Sequence, residues 1–228
     1  MIDFTYSLWV VVHGSSVVLV DTGFDADVAA RRGIHLERTS LEALHELGMV
    51  ANDVSAIVLS HVHFDHAGGL SQFSEVPVFV QEADLDFYTG DFMRFALCAS
   101  AVEKADMAEL QQIRDDGRLV LLSGDSEIEE GIKVHHVGGH TPGMQAIEVK
   151  GARGDIVLAS DAAHLYVNLE NQVPFPVLHD VPTSCVAFER LASLSAGGAT
   201  VVPGHDGLVM HNFERIGALC RGSVARLT

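Results

Sequence analysis

The run Ser60-His61-Val62-His63-Phe64-Asp65-His66-Ala67-Gly68-Gly69 decides how this chain is read. It places three imidazoles and a carboxylate within six positions. It follows directly on Ala56-Ile57-Val58-Leu59, a short apolar run that reads as a buried strand. Imidazole nitrogen and carboxylate oxygen are the donors that suit zinc and similar divalent metals. The plainer reading is a polar loop that happens to be rich in histidine. The regular spacing argues against it, and so do the further candidates downstream.

Three more candidates follow, each after a strand-like run and before small or turn residues. His140 lies in Gly138-Gly139-His140-Thr141-Pro142-Gly143, after Ile132 to Val137. Asp161 lies in Ser160-Asp161-Ala162-Ala163-His164, after Ile156 to Leu158. His205 lies in Pro203-Gly204-His205-Asp206, after Thr200 to Val202. Loops that leave strand ends are where an α/β fold places its functional groups. A lone histidine there is usually structural. A whole series of such positions in one chain is not.

With these residues in view, the chain resembles the metallo-β-lactamase-fold hydrolases. Their pattern is an Asp after an early strand, then HxHxDH, then a His, an Asp and a last His. This chain supplies Asp21, then His61, His63, Asp65 and His66, then His140, Asp161 and His205. The resemblance runs from about Trp9 to Asp206. It implies an α/β fold, a four-layer αββα sandwich, with 1–228 forming a single domain. Within the superfamily the phrasing is similar to the N-acyl homoserine lactonase group, the quorum-quenching enzymes.

That resemblance implies the site. His61, His63 and His140 would hold one metal, and Asp65, His66 and His205 the second. Asp161 would bridge them, and Asp21 would orient a ligand histidine by accepting its other N–H. The cofactors would be two divalent metal ions: zinc first, with iron, manganese or cobalt accepting the same ligands. The substrate would be a small-molecule lactone or related ester, opened by a hydroxide held between the metals. The departing alkoxide needs a proton. Asp65, His164 and Tyr166 are the candidates, with His164 preferred because imidazole suits proton transfer near neutral pH.

Two positions depart from the group. A Tyr often stands three residues after the bridging Asp; here that place is His164, with Tyr166 two further on. A His often stands four residues after the third-motif histidine; here it is Met144. Both changes leave the metal set intact and bear on which lactone is taken. Two stretches are expected to line the pocket. One is Phe87 to Phe95, with Tyr88, Phe92, Met93 and Arg94; the other is Val173 to Pro176, reaching His179. His135 and His136 are adjacent in a strand and should face opposite ways. His13, His35, His45 and His211 read as structural.

Composition narrows the alternatives. The 228 residues carry 31 acidic against 14 basic side chains, a net charge of −17. Nucleic-acid surfaces need clustered Lys and Arg, so no nucleic-acid partner and no nuclease role is expected. No apolar run approaches the length of a membrane span, so no membrane partner is expected either. Leu8 to Val20 is broken by a turn at His13 to Ser16 and reads as a hairpin, not a signal peptide. The cytoplasm is the expected location, a homodimer is the assembly the resemblance implies, and an N-terminal piece is expected to be missing or shortened. Cys98, Cys185 and Cys220 form no CxxC pair and read as buried small residues. The competing functions are a thioesterase of the glyoxalase II type and an iron-dependent sulfur dioxygenase. Flavodiiron-type enzymes usually carry Glu at the position of His63, and exported β-lactamases carry a signal.

The remaining elements follow from pattern. Strands are expected at Tyr6 to Val12, Val17 to Val20, Ser55 to Leu59, Val76 to Val80, Leu119 to Leu122, Ile132 to Val137, Ala146 to Val149, Ile156 to Leu158 and Thr200 to Val202. Thr39-Ser40-Leu41-Glu42 predicts a capping box opening a helix that ends near Gly48. Pro182 and Gly197-Gly198 bracket another helix, and a C-terminal helix is expected after the last strand. Glu82 to Gln112 is helical or looped.

Overall fold

A computed structural model describes residues 4–216 and 224–228. The chain divides into two compact units. One is Leu8–Leu121; the other joins Met1–Ser7 to Leu122–Thr228. Each is built on a five-stranded sheet.

The first unit opens with a hairpin of β1 (Trp9–His13) and β2 (Ser16–Val20), closed at Gly14, whose φ of 60° suits a residue without a Cβ. Helices α1 (Ala26–Arg32) and α2 (Ser40–Glu46) follow. β3 (Ala56–Val58) then pairs parallel to β2. Its three residues are all buried, as the uninterrupted apolar run requires. After the single turn α3 (Phe64–Ala67) come β4 (Val78–Gln81), α4 (Glu82–Thr89), α5 (Ala96–Ala99), α6 (Lys104–Asp115) and β5 (Leu119–Leu122). The sheet order is β1-β2-β3-β4-β5. Its core centres on Leu19, Leu44, Ile57, Leu59, Leu110 and Ile113, all fully buried.

The second unit contains β6 (Ser126–Glu129), β7 (Ile132–His136), β8 (Gln145–Val149) and β9 (Ile156–Ser160) as antiparallel neighbours. Helices α7 (Tyr166–Asn171) and α8 (Val181–Ala196) precede β10 (Thr200–Pro203), which pairs parallel to β9. A four-residue helix α9 (Val209–Asn212) and the short pair β11 (Glu214–Arg215) and β12 (Ala225–Arg226) end the described chain. The core is built from Met144, Ala146, Val157, Ala159, Phe188 and Leu191.

The helix signals act as their chemistry requires. Thr39 and Glu42 form the reciprocal capping box of α2. The Asp180 carboxylate accepts from the Thr183 amide at the start of α8. Several expectations need correction. The first strand begins at Trp9, and the Thr5 amide instead donates to the His205 carbonyl within the unit that both residues share. α1, β6 and α7 are too short, at four to seven residues, to set a clear period, and the sequence pattern does not predict them. Among the described residues the only helix after the last strand of the sheet is α9, and the stretch around Cys220 lies outside the described residues. Cys98 is half-buried and Cys185 exposed, both as free thiols, so neither is a core residue. His135 is buried against Glu148 while His136 is exposed, as strand alternation predicts. No helix among the described residues is long and apolar enough to cross a membrane.

Candidate active site

In the first unit the site is built on the loop that leaves the carboxyl end of β3. Asp21, one residue past β2, anchors it. Its backbone takes the left-handed conformation (φ 62°), which L-residues adopt rarely and at a cost. Four hydrogen bonds hold it there. The Asp21 amide donates to the Val58 carbonyl (3.0 Å), and the Asp21 carboxylate accepts from the Ser60 amide (2.7 Å), the Ser60 hydroxyl (2.8 Å) and His66 Nδ1 (2.8 Å). The same Ser60 hydroxyl lies 3.0 Å from His61 Nδ1. Asp84, fully buried on α4, accepts from the Val62 amide (3.2 Å). α3 then places Asp65 beside His66, with the Asp65 carboxylate 3.5 Å from His66 Nε2. The His61 ring sits 4.5 Å from that of His63 and 4.1 Å from that of His66. His61, His63 and His66 are all buried.

In the second unit the carboxyl ends of the parallel pair β9 and β10 deliver Asp161 and His205 side by side. Gly204 permits this approach: a Cβ there would sit 2.8 Å from the Ser160 carbonyl carbon and 3.0 Å from Asp161 Oδ1. Ser160 takes a φ of 45° to turn the chain. His140 comes from the Gly138-Gly139 turn; a Cβ on Gly139 would meet the Ser184 backbone at 2.6 Å. Asp161 faces three imidazoles. Its Oδ1 lies 2.8 Å from His205 Nε2, and its Oδ2 lies 3.0 Å from His164 Nε2 and 3.2 Å from His140 Nε2. The donor atoms of Asp161, His164 and His205 lie within 4.8 Å of one another.

Each outer ring nitrogen is oriented. His140 Nδ1 donates to the Val177 carbonyl (2.8 Å) and His205 Nδ1 to the Thr5 carbonyl (2.7 Å). Phe4 stacks on His205 (4.4 Å between centroids) and Phe175 on His164 (4.3 Å). His164 Nδ1 is buried and has no hydrogen-bond partner among the described residues.

These groups fit a divalent metal. Zinc bonds of about 2.0–2.1 Å keep tetrahedral ligand atoms roughly 3.3 Å apart. The Asp161 carboxylate oxygens lie 2.8 Å from His205 Nε2 and 3.2 Å from His140 Nε2, close to that edge length. Ligand imidazoles usually engage their other nitrogen with a carboxylate, a carbonyl or a hydroxyl. His66, His140 and His205 do so with a carboxylate and two carbonyls, and His61 with a hydroxyl.

Other expected residues sit differently. Tyr166 opens α7, its amide donating to Asp206 and its hydroxyl bonding Asn212, while burial pushes its phenol pKa up. Met144 is fully buried in the core of the second unit. Tyr88 is buried, and its hydroxyl lies 2.7 Å from His63 Nε2, so it is no simple apolar lining residue. Phe92 is largely exposed, and the Arg94 guanidinium rests over Phe95 (4.7 Å). His13, His35, His45 and His211 belong to none of the metal-competent groups among the described residues. Sequence reasoning missed Phe4, Thr5 and Ser60. Ser60 alone had a signal, as the residue between the buried strand and the first histidine.

The comparisons follow the same residues. The family description "Metallo-beta-lactamase superfamily" matches residues 2–205. An N-acyl homoserine lactonase from Bacillus sp. is 28% identical over 173 residues, covering 69% of this chain and 64% of that protein. The chain thus spans just under two thirds of that relative's length. The N-acyl homoserine lactonase AiiB of Agrobacterium fabrum is 25% identical over 232 residues, covering 90% of this chain and 81% of its own. A solved N-acyl homoserine lactone hydrolase, with the product N-hexanoyl-L-homoserine at its catalytic metal centre, superposes with a TM-score of 0.77 at 22% identity. That superposition covers 90% of this chain and 82% of the other, and shows a shared α/β sandwich fold. With its matched span reaching from the N-terminal segment to His205, this chain belongs to the metallo-β-lactamase superfamily.

Proposed function

We propose that this chain is a metal-dependent hydrolase that opens a small lactone or related cyclic ester, with two divalent ions, taken to be zinc, as cofactors. The observation that carries the reading is Asp161, a buried carboxylate facing three imidazole nitrogens at 2.8 to 3.2 Å. The relatives' names, N-acyl homoserine lactonase in each case, support a lactone as substrate. One catalytic domain is proposed for the whole chain, because the family match runs through both units. The free thiols of Cys98 and Cys185 support a reducing, cytoplasmic setting.

By the family resemblance His61, His63 and His140 would hold one ion, Asp65, His66 and His205 the other, and Asp161 would serve both. When bound, the ions supply Lewis-acid polarisation of the ester carbonyl and make water a nucleophile at neutral pH. The chain's own residues do the rest. Asp21 and Ser60 fix the His66 and His61 rings. Phe4 and Phe175 cover His205 and His164 and exclude water from that side. His164, with Nε2 3.0 Å from the Asp161 carboxylate, is the group proposed to deliver a proton from Nδ1. As water adds to the carbonyl and the ring C–O bond breaks, a proton passes from His164 to the alkoxide oxygen and the proton released by the water restores His164, leaving a hydroxy acid.

The test is elemental analysis of protein purified without added metal, run beside a pH-indicator screen of lactones, thioesters and β-lactams. About two equivalents of divalent metal with lactone turnover is the expected result. A single iron, with oxygen consumed and no hydrolysis, overturns the reading.

A further inference from the structure

His63 differs from the other ligand imidazoles. His61, His66, His140 and His205 each engage Nδ1 with a neighbouring oxygen. His63 engages Nε2, and its partner is the Tyr88 hydroxyl at 2.7 Å. Both residues are buried, at 7% and 6% exposure, and their rings meet edge to face, 5.7 Å apart at 80°. Which imidazole nitrogen takes a metal is set by the hydrogen bond the other one makes. A bond at Nε2 therefore leaves Nδ1 as the metal-facing atom.

Tyr88 is well placed to hold that bond. It lies in the last turn of α4, seated in the core of the first unit beside Phe87, whose ring it meets at 4.9 Å. Packing alone does not require that hydroxyl. A phenylalanine would fill the same space without bringing a polar atom into the core.

We infer that Tyr88 is a positioning residue for the metal centre: its hydroxyl fixes the ring of His63 and reserves Nδ1 for the ion. The inference rests on the metal centre proposed above. Nothing in the HxHxDH spacing demands a tyrosine on α4, so this orienting contact is a feature of the chain's own tertiary structure.

The test compares the wild type with Tyr88→Phe, which keeps the ring and removes only the oxygen. Zinc affinity is read by chelator competition, and the ring nitrogens by side-chain NMR of protein labelled with 15N-histidine. Loss of such an outer contact typically lowers metal affinity about 10- to 100-fold. The expected result is a loss of that size for one zinc equivalent in Tyr88→Phe, with the metal-free fold unchanged. In zinc-loaded wild type, His63 is expected to be metallated at Nδ1. Equal zinc affinity in the two proteins, or His63 metallated at Nε2 in the wild type, overturns the inference while leaving the hydrolase reading standing. The wild-type spectrum decides even if the variant does not fold. A wild type that takes up no zinc overturns both.

Discussion

Asp161 shows how much one side chain depends on its company. Alone it is a carboxylate after a strand; with Nε2 of His140, His164 and His205 within 3.2 Å, it is the centre of the proposed metal site. His164 stands three residues after Asp161, with Nε2 3.0 Å from its carboxylate. The His164 Nδ1 is buried without a partner among the described residues, and the proposed reaction gives that atom its use. His164→Ala should lower kcat by about 10²- to 10⁴-fold, the usual worth of a positioned acid. Metal content should stay at the wild-type level. Steady-state kinetics with elemental analysis checks both, and wild-type turnover in the variant would remove His164 from the reaction. The residue types of the candidate ligand set were readable from sequence, because HxHxDH is local. The oxygen that orients each ring was not, because it comes from far along the chain. Thr5 serves His205 across 200 positions, and Tyr88 serves His63 across 25.

At the scale of elements, the strand ends do the placing. β9 and β10 run parallel, so their carboxyl ends open on the same side and present Asp161 and His205 together. That convergence needs Gly204. A Gly204→Ala side chain would lie 2.8 Å from the Ser160 carbonyl carbon and 3.0 Å from Asp161 Oδ1, both held by the pairing of the two strands. The variant should lose on the order of 1–3 kcal/mol of stability, the usual result of overpacking, and bind metal more weakly. Denaturant unfolding and chelator competition measure the two effects, and an unchanged affinity would mean that Asp161 has room to move. Buried strands and the two well-capped helices were legible because apolar runs and caps are local signals. α1, β6 and α7 were not, since four to seven residues set no clear period and tertiary packing stabilises them.

For the molecule as a whole, stability and charge pull in different directions. The net charge of −17 crowds carboxylates, and one of them, Asp106 on α6, is buried at 8% exposure. Burial, with Glu103 and Asp25 nearby, pushes its pKa up to about 7, while Arg32 and Arg31 work the other way. The raised value means the folded state holds this proton more tightly than the unfolded chain does. Its contribution to stability is therefore complete below about pH 4 and is lost as pH rises toward about 7. Asp106→Asn should flatten the fall in stability between about pH 4 and 7 and stabilise the fold above it, as urea unfolding at pH 5 and pH 8 would reveal. A variant with the wild-type pH dependence would rule this group out as its source. The sequence by itself determined the donor types, the strands that carry them and the superfamily they belong to, because motif spacing and hydrophobic patterning are written in neighbouring residues. Only the tertiary structure decided which nitrogen each histidine offers, that His164 joins Asp161, and that Tyr88 holds His63. Those choices depend on atoms brought within 3 Å by packing, and no local pattern encodes them.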